Sequence, residues 1–130
     1  MKFTGGCNCG NIRYELNGEP IRIGLCHCET CRKETGSAFS YFGIWSKAKA
    51  HVRGESRSWP SKAGDRHFCP QCGSSVFGIE DDASDEIEIK LGTLDNPPSP
   101  LGPKYELWTI RRENWLNALI DVAQHDNDRT

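Results

Sequence analysis

The chain has 130 residues, with 16 Lys and Arg against 18 Asp and Glu and a net charge of −2 at neutral pH. That length fits one domain, and the near-neutral balance excludes the strongly basic footprint of a nucleic-acid binder. Leu, Ile, Val and Phe together number 25 residues, close to the roughly 20% below which chains tend to stay disordered, but the high net charge of a disordered chain is missing. A core this thin needs support, and the seven cysteines are the obvious source of it.

The stretch from Met1 to Cys7 has no apolar segment of signal-peptide type, and no apolar run approaches the length of a membrane span. A cytoplasmic protein with no membrane partner is expected. In a reducing compartment an odd number of cysteines points to metal ligation rather than disulfides.

In chain order, residues 11–16 alternate apolar and polar side chains and predict a half-buried strand, as do residues 21–25. Residues 29–35 predict a short helical turn ending at Gly36. The aromatic, β-branched run 40–45 predicts a further strand, and residues 67–68 and 75–77 predict two more around a Cys-rich turn. Lys47, Lys49, Arg53, Arg57, Lys62 and Arg66 face only Glu55 and Asp65, and are read as the solvated faces of strands. Residues 86–91 alternate again. Four prolines within residues 96–103 exclude regular structure and predict a stiff connector. Trp115, Leu116, Leu119, Ile120 and Ala123 recur at helical spacing and predict a short C-terminal helix over 112–123. Trp108 and Trp115 are expected in the core. One domain over 1–123 and a frayed polar tail over 124–130 complete the expected organisation.

The cysteines fall as Cys7 and Cys9, then Cys26, Cys28 and Cys31, then Cys69 and Cys72 before Gly73. Such spacings let two thiolates reach one ion, and thiolate sites suit zinc, which is borderline-soft and redox-inert. Two pairings are open. A ribbon would join Cys28 and Cys31 to Cys69 and Cys72, across a spacer longer than the roughly 15–20 residues of compact ribbons, and would strand three thiols. The preferred pairing sets Cys7, Cys9, Cys69 and Cys72 around one zinc and leaves Cys26, Cys28 and Cys31 around a second. A four-thiolate zinc is closed and holds structure, whereas three protein ligands leave a fourth position open. Three thiolates make that zinc a weak generator of hydroxide and a natural site for an exogenous thiol, which loses its proton on binding. The competing reading closes the second site with His27, His51, His67 or a carboxylate.

Residues 5–14, residues 26–39 (Cys26 to Lys33 together with Thr35 to Phe39) and residues 68–73 resemble, in order, three motifs of the glutathione-dependent formaldehyde-activating enzymes. The resemblance implies a mainly β fold, a β-tent of small coiled antiparallel sheets around zinc. It implies two zinc ions per chain: a structural one on Cys7, Cys9, Cys69 and Cys72 and a catalytic one on Cys26, Cys28 and Cys31. It further implies a carbon-sulfur lyase that joins glutathione to formaldehyde as S-hydroxymethylglutathione. Ser37 and the backbone near Gly36 are the expected oxyanion donors, and Arg32 and Lys33 the expected partners of the glutathione carboxylates. Where many relatives carry a His-Ile-aromatic run, this chain has Glu106, Leu107 and Trp108, which would set a carboxylate in the cleft wall. The alternative function is a non-catalytic binding module with two structural zincs.

Overall fold

In the computed structural model, residues 1–129 are described. They form two sheets and one helix. The smaller sheet joins β1 (Lys2–Gly6), β2 (Arg13–Asn17) and β5 (Ala50–Arg53) in the order β1-β2-β5, all antiparallel. The larger contains β3 (Arg22–Cys26), β4 (Ser40–Ser46), β6 (Arg57–Ser61), β7 (Gly64–Phe68), β8 (Ser75–Ile79), β9 (Glu86–Lys90), β10 (Tyr105–Leu107) and β11 (Ala123–Gln124). Its order is β11-β10-β3-β4-β9-β8-β7-β6. The fold is therefore mainly β, as expected. At one edge, however, β10 runs parallel to both β3 and β11. The connector 96–103 makes this possible by carrying the chain from β9 to the far side of β3, with the Tyr41 hydroxyl donating to the Leu101 carbonyl at 2.5 Å.

Strand alternation divides the larger sheet into two chemically different faces. On one face Ile23, Trp45, Phe77, Ile87 and Ile89 pack against Tyr14 and Leu16 of β2, forming the main core between the sheets. On the other face the register aligns Cys26 with Ser40, Phe42 with Lys90, Ile44 with Glu88, Glu88 with Gly78 and Gly78 with Arg66. Polar and ionic residues thus collect on a surface that is not left to solvent. Helix α1 (Glu29–Thr35) covers part of it and projects Cys31 and Glu34 inward. Cys28 caps the helix N-terminus by accepting the Cys31 N–H, and Gly36 ends the helix in the left-handed conformation at φ 64°.

The expected helix over 112–123 does not form. Two residues nearby adopt positive φ, Trp108 at 56° and Asp121 at 61°, and buried Glu106 takes the Leu119 N–H at 2.9 Å. Tertiary hydrogen bonds overrule a short amphipathic pattern that would be marginal on its own. Trp115 is not in the core but 72% exposed, and Ile120 is 87% exposed; Trp108 is half-buried. The tail does not fray within its described residues. It pairs as β11, and the His125 N–H donates to the Glu106 carbonyl while the Trp108 N–H donates to the Asn127 carbonyl. Thr130 lies outside the described residues. Among the described residues no helix is long and apolar enough to cross a membrane.

Candidate metal centres and the cleft beside them

The turn after β1 supplies Cys7 and Cys9, and the turn after β7 supplies Cys69 and Cys72, with the four sulfurs within 4.8 Å of one another. The Cys9 sulfur lies 3.7 Å from that of Cys7 and 3.6 Å from that of Cys69. Backbone N–H groups point at the sulfurs, Ile12 toward Cys7 at 3.2 Å and Gln71 toward Cys69 at 3.4 Å. Gly73 closes the second turn at φ 79°, its N–H donating to the Cys69 carbonyl. Such N–H donors favour the thiolate form that a metal requires. This cluster bridges a hairpin of the small sheet and a hairpin of the large one.

The second cluster is Cys26, at the end of β3, with Cys28 and Cys31 at the start of α1, again with sulfurs within 4.8 Å of one another. Cys26 and Cys31 are buried and Cys28 is half-buried, so the site opens on the Cys28 side. Among the described residues no histidine or carboxylate joins these three sulfurs. The donor set fits a soft cation. Three touching thiols cannot all ionise without one: hydrogen bonding from Cys26 pulls the Cys28 pKa down to about 2, while the bond shared with Cys28 pushes Cys26 far above the ordinary thiol range. A divalent ion between them removes that conflict.

Around this cluster lies an ionic network hidden from solvent. Arg66 is 6% and Lys90 5% exposed. The Arg66 guanidinium stands 3.9 Å from the Cys31 sulfur and 2.6 Å from Glu34. Glu34 also meets Lys90 at 3.1 Å and accepts from the Ser75 hydroxyl at 2.5 Å, and Lys90 pairs in turn with Glu88 at 2.7 Å. Burial alone would raise the pKa of Glu34. The charges of Lys90 and Arg66, with the Ser75 hydroxyl, outweigh it and hold the carboxyl below the usual range. Burial likewise opposes the charge on Lys90, and Glu88 and Glu34 restore it. Arg66 is therefore not on the solvated face expected of the basic stretch. The alternation placed it and Lys90 on the polar face, but that α1 roofs this face is a tertiary fact.

The other expected site residues are brought together elsewhere. Arg32, Lys33, Gly36 and Ser37 line an open cavity of about 690 Å³ on the outer face of α1, beside Trp115, and no cysteine reaches it. Arg32 is engaged by Glu113, and Lys33 by Glu29 at 3.2 Å. Gly36 and Ser37 sit at the C-terminal end of the helix, opposite Cys28, and both donate their N–H to the Arg32 carbonyl. Of the candidate fourth ligands, His67 stacks on Phe77 with ring centroids 4.3 Å apart and bonds to Ser56, and His51 lies on β5 in the other sheet.

His27 turns away from the sulfurs and bonds through Nε2 to Glu106 at 2.8 Å. Glu106 is thus not a cleft wall. It is 1% exposed and binds His27, Gln124, the Leu119 N–H and, at 3.3 Å, Arg112. Burial would raise its pKa, but these donors hold it down to about 2. A second cleft, of about 420 Å³, is lined by no cysteine either, but it shares Phe42, Tyr105, Leu107 and Arg66 with the surroundings of the three thiols, and Arg22 and Arg129 are among its other walls. Phe42 and Tyr105 are the residues packed against Cys26 and Cys31.

The fold and the two thiol clusters define a small β protein with two candidate metal centres, one of four sulfurs with Cys9 and Cys72 exposed and one of three sulfurs with only Cys28 half-exposed. Residues 2–111 match the family described as glutathione-dependent formaldehyde-activating enzyme, and the chain belongs to that family. An uncharacterized lyase of Schizosaccharomyces pombe is 29% identical over 77 residues, covering 58% of this chain and 56% of the relative, so the match spans about half the length of that protein. A crystal structure of a Rhodobacter sphaeroides protein shares the fold, with a TM-score of 0.57 and 21% identity over 75% of this chain and 92% of that one.

Proposed function

We infer that both clusters hold zinc and that the protein joins a glutathione-like thiol to formaldehyde or a similar small aldehyde. The observation that carries this reading is the three-thiol cluster with no fourth protein ligand among the described residues, half-exposed at Cys28 and packed on Phe42 and Tyr105, which also line the cleft. Zinc bound there supplies a position at which an incoming thiol gives up its proton. The rest falls to the chain. Phe42 and Tyr105 form an apolar floor that limits water around the aldehyde. The thiolate sulfur attacks the carbonyl carbon, a carbon-sulfur bond forms, and the carbonyl π pair moves to oxygen. Arg66, fixed by Glu34, is the cationic side chain within hydrogen-bond reach of the sulfurs and faces the developing oxyanion in place of Ser37. The proton released by the thiol ends on that oxygen, so the sum is S–H plus C=O giving S–CH2–OH, with no redox change.

The uncatalysed addition is facile, so the test reads ligation rather than rate. With the open site exchanged to cobalt, glutathione is expected to raise a saturable sulfur-to-cobalt charge-transfer band. No change at saturating glutathione refutes the reading and leaves a protein whose two metals are structural.

A further inference from the structure

The segment beyond residue 111 lies outside the family match, but it returns to the mouth of the cleft. After β11, the Thr109 N–H donates to the His125 carbonyl at 3.1 Å, the Trp108 N–H to the Asn127 carbonyl at 3.0 Å, and the Trp108 indole N–H to Asp128 at 2.9 Å. These bonds bring Asp128 and Arg129 to the cleft lining. The Arg129 guanidinium stands over the Tyr105 ring, 5.8 Å from its centroid, a placement that favours a cation. Across the cleft, the hairpin between β6 and β7 contributes Lys62 and Asp65.

Three of the five acidic groups in the lining are engaged by other side chains. Both oxygens of Glu86 meet Arg22 at 2.8 Å, Glu88 meets Lys90, and Asp128 holds the indole, while Asp65 and Glu80 stand on the hairpin side. Arg129 and Lys62 enter none of the ion pairs among the described residues.

We propose that this C-terminal strap is the substrate-selecting wall of the cleft, and that Arg129 receives a carboxylate carried by the thiol substrate. The inference rests on the function proposed above. It assigns the selection to a part of the chain that the family match does not cover. Arg129 acts on binding of the substrate's remote end and does not touch the reacting atoms.

The test compares three small thiols differing in charge, 3-mercaptopropionate, 2-mercaptoethanol and cysteamine, by the charge-transfer band of the cobalt-exchanged protein. Each thiol is compared between the native protein, Arg129→Gln and Arg129→Lys, so intrinsic differences between the thiols cancel. Arg129→Gln is expected to weaken 3-mercaptopropionate about fivefold relative to 2-mercaptoethanol, and to move cysteamine in the opposite direction. Arg129→Lys is expected to restore most of the preference. Each variant is compared at a circular dichroism spectrum matching that of the native protein, which sets a loss of structure apart from the effect read. An equal shift for all three, or no shift, overturns the role of the strap while leaving the thiol site standing. A native protein that gives no band with any thiol removes both this inference and the function beneath it.

Discussion

Replacing Arg66 with methionine tests whether the buried charge beside the three thiols serves an anionic ligand. A unit charge 3.9 Å from the Cys31 sulfur corresponds to about 4 kcal/mol at an effective dielectric of about 20. Glu34 lies closer to the same guanidinium, at 2.6 Å, and offsets most of that. The net effect on an anionic fourth ligand is then about 1–2 kcal/mol, or roughly tenfold in affinity. Lys90 still meets Glu34 at 3.1 Å in the variant, so no buried carboxylate is left alone and the fold is expected to survive. The assay titrates glutathione and, separately, imidazole into cobalt-exchanged protein. Glutathione is expected to bind about tenfold more weakly and the neutral imidazole with little change, while Arg66→Lys recovers part of the loss. Equal weakening of both ligands, or no weakening of glutathione, refutes the electrostatic argument.

Two further outcomes follow from the same geometry. The carboxyl of Glu106 is held at about 2 against an ordinary 4.5, so its contribution is complete above pH 4.5 and disappears as pH falls toward 2, an effect of about 3 kcal/mol for so deeply buried a group. Urea unfolding at a series of pH values is expected to show that loss in the native protein, and a shallower one in Glu106→Gln. Parallel profiles would contradict it. Cys28→Ser is expected to lower the bound zinc from two ions to one while the circular dichroism spectrum is retained, whereas Cys9→Ser lowers the melting temperature sharply. A Cys28→Ser protein that keeps both ions would remove the assignment of the second cluster.

Local patterns carried a good part of this molecule. Alternation located β2, β3 and β9, the aromatic and β-branched run located β4, and the stop signal at Gly36 ended α1 where the left-handed cap forms. Cysteine spacing grouped the seven thiols as the fold does. The residues that escaped were those whose meaning depends on what lies above them. Lys90 alternates with Ile89 and Leu91, and Arg66 sits in a charged stretch, as solvent-facing residues do, and only Glu34, reaching down from α1, turns them into an inner network. Glu106 reads as a carboxylate of the cleft wall, and only the folding of residues 119 and 124 onto it makes it a buried anchor. The helical spacing over 112–123 misled because periodicity reports what a segment could bury, not whether a partner surface is available. Ser37 illustrates another limit: nearness in sequence to Cys31 says nothing about which end and face of a helix a side chain occupies.

The four-sulfur cluster has a thermodynamic consequence beyond holding two turns together. It links positions about 60 residues apart, and fixing a loop of that length removes about 4 kcal/mol of freedom from the unfolded chain by the estimate used for a covalent cross-link. With zinc bound there as proposed, this link, unlike a disulfide, dissolves and re-forms with the concentration of a small ion. The melting temperature would then be a property of the solution as much as of the chain, rising with free metal activity and falling under a chelator. The core that Tyr14 and Leu16 share with the larger sheet joins the two sheets with or without the ion, so metal supply would set how much stability the turns add to that core.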